Sequence, residues 1–364
     1  MFAKNKKYQQ KLLVLFFIMI IFTPLLNGCW NYRDLEQLSI VSGIGLDLDE
    51  KGKIALSAQI INTSALKTGE SGSGSADPNE MVRVSTSSGD TVFQALRNFI
   101  PQASRRLYLA HMQILVIGEE GAKKGIYPLL DLFVQDHESR PGIYLLISHE
   151  KAADVLRSDN GLESIPAIGI SRAIETGARN GFIPDVNLQD FSNLLMSPTT
   201  APVAPHIEIY EEKGFNNKIT QRVRTLGTVV FRQDKMIGVL GLKETRGLCW
   251  VLGKVQSGIV TFHAKGVTSS FEVIKSTTKI NGYLQQGQPL ISVHVHAEGN
   301  FGEQQGNVPL TSEEIPLLQK VISREIKKEI SDAVAKAQDL KSDIFGFGEV
   351  MHRAYPKEWK EMEP

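Results

Sequence analysis

Two short, predominantly apolar runs constrain this fold most. They are Met112–Ile117 and Ile143–Ser148. A strand that is apolar at nearly every position is covered on both faces, which is the habit of parallel sheets. Between the runs lies a segment with helical spacing, Gly121–Gln135, and after the second lies another, Glu150–Arg157. Strand–helix alternation of this kind predicts an α/β unit with parallel pairing. Before it, Ser39–Asp47 and Lys53–Ile61 alternate as strands around the polar turn Asp47–Gly52 and predict a hairpin. Asp47-x-Asp49-x-x-Gly52 resembles the start of a calcium loop, but the twelfth position, which needs a bidentate Glu, is Ala58. Met81–Ser87 reads as a further strand. A helix from Thr91 to Ser104 follows, capped from Ser88-Gly89-Asp90 and closed by Arg105-Arg106, with Val92, Phe93, Leu96, Phe99 and Ile100 on one face. Thr68–Asn79 has too few apolar groups to offset its ordering entropy and reads as a flexible loop.

The start of the chain restricts where this unit folds. Lys4, Lys6, Lys7 and Lys11 precede the apolar run Leu12–Phe22, and Pro24 interrupts it. Eleven residues of helix span about 16 Å, short of the ~30 Å hydrocarbon core of a bilayer. The pattern is that of an export signal. Leu26-Asn27-Gly28-Cys29 is similar to a bacterial lipobox, which implies cleavage after Gly28, a signal peptide over 1–28 and lipidation of Cys29. Removing the four leader lysines from 40 basic residues leaves 36 against 40 acidic, a net charge of −4 for a mature chain of 336 residues. That balance gives no basic face for nucleic acid. With two cysteines in the chain and one lipidated, Cys249 has no disulfide partner and reads as a buried, inert thiol.

Beyond Leu195 the pattern changes. Ser197–His206 carries three prolines among small residues and reads as a domain boundary. Ile207–Tyr210, Val223–Phe231 and Met236–Leu240 read as strands, Leu242–Leu252 as a helix, and Gly258–Ala264, Thr268–Lys279 and Leu290–Ala297 as strands, the last after a turn at Gly287–Pro289. Thr311-Ser-Glu-Glu314 forms a capping box ahead of a long amphipathic helix reaching Leu340.

Candidate chemistry is sparse. His294 and His296 share one face of a strand with Glu298, a combination able to ligate zinc. A third well-placed ligand is lacking, so a solvated face opposite Ile291, Val293 and Val295 is the better reading. His111, His137 and His149 show no metal-ligand spacing. Gly169-Ile-Ser171-Arg-Ala173 approaches a nucleophile elbow but has no preceding strand and no His–acid pair. Neither an enzyme nor a cofactor is expected.

Asp343-Ile-Phe345-Gly346-Phe347-Gly348-Glu349, followed by Tyr355-Pro-Lys-Glu-Trp359, resembles the C-terminal part of the Ger(x)C family, the lipoprotein C subunits of bacterial spore germinant receptors. Cys29-Trp-Asn-Tyr-Arg-Asp-Leu35, Ile40–Asp47, His111–Gly118, Glu298–Phe301 and Ala337-Gln338 resemble further family segments in the same order. The resemblance implies three consecutive mixed-sheet α/β (α+β) domains after the lipoprotein signal peptide: 29–200, 206–265 and 266–364. It implies a lipid-anchored protein on the outer face of the spore inner membrane. Its partners would be the integral-membrane A and B subunits, and its role nutrient-triggered germination. No catalytic residue carries over. Family members usually continue past the Trp, so with a chain ending at Pro364 the last strand is expected to be absent and a sheet edge exposed. The lipobox and the proline-rich linker also fit a second reading, a solute-binding lipoprotein of a membrane transporter.

Overall fold

The computed structural model describes residues 11–19, 37–62, 81–101, 105–136, 138–159, 163–214, 217, 219–306 and 311–362. Gly28, Cys29, the whole Thr68–Asn79 segment and His137 lie outside them. The chain divides into two compact units, Met1–Leu38 and Ser39–Pro364. In the first, residues 11–19 are helical with exposed apolar side chains. No helix among the described residues is long and apolar enough to cross a membrane.

The second unit is built on a large mixed sheet. Strands β1 (Leu38–Leu48), β2 (Ile54–Ile61) and β3 (Val82–Gly89) pair antiparallel. The expected hairpin turn joins β1 to β2: the Asp49 carboxylate accepts from the Lys51 and Lys53 N–H groups at 2.9 and 2.8 Å, and Gly52 has φ 76°. Helix α1 (Val92–Arg97) follows, then β4 (Arg106–Tyr108), which pairs with β1. Next come β5 (Ile114–Gly118), helices α2 (Glu119–Lys124) and α3 (Tyr127–Gln135), and β6 (Tyr144–Ser148). Helices α4 (Ala152–Val155), α5 (Pro166–Arg179) and α6 (Leu188–Leu195) lead to β7 (Val203–Lys213), β8 (Ile219–Arg232) and β9 (Lys235–Leu240). The sheet order is β3-β2-β1-β5-β6-β7-β8-β9. The central pairs β1–β5, β5–β6 and β6–β7 are parallel.

The two apolar runs behave as their composition requires. Every residue of β5 is buried, and the side chains alternate between two cores. Leu115, Ile117, Leu145 and Ile147 face α1, α3 and α6, whereas Ile114, Val116 and Leu146 face α4 and α5. The proline-rich segment does not interrupt the sheet. Strand β7 starts at Val203, and His206 pairs with Ile147 of β6.

Several boundaries differ from expectation for local reasons. Helix α1 is capped by the Thr91 hydroxyl, which accepts from the Gln94 N–H at 3.1 Å, rather than from Ser88–Asp90. It ends at Arg97, and Arg106 opens β4 instead of closing the helix. The single helix expected over Gly121–Gln135 is two, α2 and α3. Gly125 has φ 140°, which breaks the first, and Pro128 in the first turn starts the second. The turn expected at Gly287–Pro289 is formed by Gln286 and Gly287, both at positive φ (51° and 80°), as a two-residue hairpin loop requires.

That loop joins the longer strands of a second, antiparallel sheet, β10 (Gly258–Ala264), β11 (Val267–Gln285) and β12 (Gln288–Gln304). Helix α7 (Leu242–Val251) precedes this sheet and α8 (Ile315–Asp339) follows it. The two helices cross at Gly247, where an added Cβ would lie 2.1 Å from the Glu329 carbonyl oxygen and 2.7 Å from the Ala333 Cβ. Beside the crossing, the Glu329 carboxylate accepts from Arg246 Nε at 2.8 Å, from Arg246 Nη2 and from Trp250 Nε1 at 3.0 Å. Trp250 is fully buried. Helices α9 (Phe347–Ala354) and α10 (Pro356–Met362) complete the described chain.

The crossing predicts a reversal of the usual helix preference. Gly→Ala inside an exposed helix stabilises by about 1 kcal/mol. Gly247→Ala must instead push α8 away and is expected to destabilise by about 1–3 kcal/mol, as overpacking does. Urea unfolding followed by circular dichroism measures it, and a gain in stability refutes the close approach.

Candidate functional site

The candidate residues fall into three places, and sequence singled out the first two. Segments Ile40–Asp47 and His111–Gly118 are neighbours in the sheet through the β1–β5 pair. Their carboxylate is Asp47, 8% exposed. It accepts from the Ala152 and Ala153 N–H groups at 2.9 and 3.1 Å, so β1 caps α4. Burial pushes its carboxyl up, and the two N–H groups oppose that. A Cβ at Gly118 would meet Asp47 Oδ1 at 2.5 Å, and one at Gly45 would meet Ala152. These positions are consumed by packing.

The second place is the C-terminal segment. Asp343 bonds the Phe345 N–H through Oδ1 at 3.1 Å and the Gly348 N–H through Oδ2 at 2.6 Å. Its carbonyl accepts from the Ala201 N–H at 2.8 Å. Gly346 has φ 74°, a turn that lets Phe345 and Phe347 stack with centroids 4.9 Å apart. Glu349 accepts from the Thr199 hydroxyl at 2.9 Å and from Arg353 Nε at 2.6 Å, and these two contacts hold its carboxyl below the usual range. A Cβ on Gly348 would lie 3.0 Å from the Trp359 ring and 3.1 Å from the Thr199 carbonyl. Asp343, Phe345, Gly346, Phe347, Gly348, Glu349 and Trp359 thus form a latch on the proline-rich segment. Their geometry is one of attachment rather than chemistry.

His294, His296 and Glu298 lie on β12, with exposed side chains. His294 Nε2 contacts Ser292 Oγ at 2.9 Å, and His296 Nε2 is 3.4 Å from Glu298 Oε1. Ser171 is inside α5, where its hydroxyl donates to the Ile168 carbonyl. The Cys249 thiol is 1% exposed, and burial pushes it up to about 12. Phe93 and Ile100, expected on a buried helix face, are exposed. With Tyr127 they line a cleft of about 720 Å³ between α1 and α3.

The third place was not visible in sequence spacing. Glu119 opens α2 directly after β5, His149 directly follows β6, and His206 is on β7. Glu119 Oε1 lies 3.1 Å from His149 Nδ1 and 2.9 Å from His206 Nε2, and Glu119 Oε2 pairs with Lys123 Nζ at 2.5 Å. The two imidazoles meet edge to face at 6.2 Å. Burial alone would push the Glu119 carboxyl up. Hydrogen bonds from Lys123 and His149 outweigh it, and the group sits below its usual range. Glu119 in turn raises His149, whereas burial lowers His206. The one sequence signal was positional: each residue stands at or beside the end of a run that reads as a strand. Among the described residues, this is the cluster of three such groups whose ligand atoms all lie within 4.8 Å of one another.

With this geometry in view, comparison with known proteins identifies the family. Residues 31–209 match the spore germination protein N-terminal domain, and residues 226–364 match the spore germination B3/GerAC-like C-terminal domain. The chain belongs to the GerAC family of spore germination proteins. GerAC relatives align along nearly the whole chain. Spore germination protein KC of Bacillus subtilis is 30% identical, covering 95% of this chain and 88% of that protein. Spore germination protein B3 of the same organism is 24% identical over 98% of this chain and 92% of its own. The crystal structure of the GerBC protein superposes with a TM-score of 0.56 at 19% identity, covering 90% of this chain and 93% of that one, which establishes a shared fold. The GerAC family is one of spore germination proteins.

Two outcomes test the structural roles assigned above. Asp343→Ala leaves two backbone N–H groups without their acceptor and is expected to cost about 1–3 kcal/mol, read by chemical denaturation. In a Cys29→Ala background, Cys249 is expected to resist a thiol reagent until denaturant is added. Rapid modification of the native chain would contradict its burial.

Proposed function

We propose that this chain is the lipid-anchored C subunit of a nutrient germinant receptor, held by Cys29 on the outer face of the spore inner membrane beside integral-membrane A and B subunits. One observation carries the reading: the two GerAC domain matches follow one another along the chain, and germination protein KC aligns with nearly all of it. The lipobox at Leu26–Cys29 supports the anchor, because two acyl chains hold a protein stably at a bilayer where one is marginal. The subunit works as a binding partner: its family-motif residues are engaged in packing and capping.

Fractionation of spores tests the anchor and the role separately. Cys29→Ala is expected to move the protein from the membrane to the soluble fraction. Deleting the gene, in a strain without a second copy of the receptor, is expected to abolish response to its nutrient. Recovery of two polytopic membrane proteins with the affinity-tagged lipidated chain supports the assembly. Recovery of a transporter permease instead would favour a solute-binding role.

A further inference from the structure

We propose that Glu119, His149 and His206 form a divalent-cation site, with zinc the ion that fits best. The site is made by the sheet. Parallel pairing of β5, β6 and β7 brings the end of two strands and an early position on the third to one side. Two hydrogen bonds fix the approach: the His149 N–H donates to the Ile207 carbonyl at 2.9 Å, and the Ile209 N–H donates to the Glu150 side chain at Oε2, also at 2.9 Å. Crevices beyond the carboxyl ends of parallel strands are where α/β sheets bind their ligands.

The donor geometry is close to that of a metal centre. Zinc bonds of about 2.0–2.1 Å in a tetrahedron place donor atoms roughly 3.4 Å apart. The observed 3.1 and 2.9 Å separations around Glu119 Oε1 therefore need to open by only a few tenths of an ångström, on the order of ordinary side-chain adjustment. The ion would replace the protons now shared between the carboxylate and the two rings. Two imidazoles and a carboxylate suit zinc and similar borderline ions better than calcium or magnesium, which prefer all-oxygen sets.

The surroundings are asymmetric. The side chains of His206 and Glu119 are 7% and 12% exposed, but that of His149 is 58% exposed. Two ligands are thus buried and the third borders solvent, leaving a fourth position for water or an external ligand. Glu119 Oε2 is held by Lys123 Nζ, which orients the carboxylate as outer partners of metal ligands do. The positive charge of Lys123 opposes a cation, while Glu150 and Glu208 act on His149 with the opposite sign.

The test uses the full chain in detergent micelles, stripped with a chelator and titrated with Zn²⁺ by calorimetry. One equivalent is expected to bind and to raise the melting temperature. His149→Ala, at an exposed position, and Glu119→Gln, which keeps the shape, are each expected to weaken binding by about tenfold or more and to lose the thermal shift. The double variant His294→Ala/His296→Ala is expected to bind like the parent. Absence of stoichiometric binding overturns the proposal. So does equal binding by the parent, His149→Ala and Glu119→Gln, or loss of binding in the β12 double variant. Melting of each variant without metal shows that the fold is retained.

Discussion

The close crossing of α7 and α8 is the constraint on which the rest of the second unit depends. With no side chain at Gly247, the α8 backbone comes within van der Waals reach of α7. That approach gives α8 two roles along its length. Its C-terminal half sends Ala333 and Ala337 into the core of the large sheet, and Ile326 joins Trp250, Val260 and Val273 in the core of the small one. Glu329 sits between, and its three hydrogen-bond donors come from Arg246 and Trp250. A mostly buried carboxylate is costly unless its acceptor positions are filled. The Arg246–Glu329–Trp250 set therefore fixes the helix register as well as the distance.

The chain beyond α8 carries this arrangement back to the large sheet. Lys341 adopts a left-handed conformation (φ 49°), and the Ser342 hydroxyl bonds the Phe231 carbonyl at 2.9 Å. The chain is thereby turned onto that sheet, where Asp343 and Glu349 grip residues 199–201. The residues of this C-terminal segment serve attachment. The titratable side chains that do converge, Glu119, His149 and His206, belong to none of the C-terminal family segments. Sequence similarity drew attention to one place and the sheet assembled another.

Much of the architecture was legible because it rests on local patterns. The predominantly apolar runs of β5 and β6 announced double burial, the Asp49 and Gly52 turn announced the hairpin, and the capping box ahead of α8 placed the longest helix. The features that escaped depended on residues far apart. The early end of the first helix at Arg97 is the exception, because Pro101 lies within Thr91–Ser104 and cannot continue a helix. The helix stops there, and β1 then recruits Arg106–Tyr108 as a strand. The split of α2 from α3 was hidden because helical periodicity on both sides of Gly125 masked one residue at φ 140°. The Glu119–His149–His206 cluster spans separations of 30 and 87 residues, and no spacing rule reaches that far. The β12 histidines, by contrast, were conspicuous in sequence because they are near neighbours, and they lie exposed on their strand.

The latch also has a temporal side. Thr199 and Glu349 are 150 positions apart in sequence, so the chain must close a very large loop before that contact forms, and non-local contacts of this kind slow folding. Chains emerge N-terminus first, so the central parallel strands are available to pair long before Asp343 exists. Until it arrives, Thr199, Ala201 and the Phe231 carbonyl lack the partners that Glu349, Asp343 and Ser342 supply. The turn at Ser342–Asp343 thus acts as a completion check: a chain stopped short of it leaves residues 199–201 uncovered, and is marked as unfinished by the surface it still exposes.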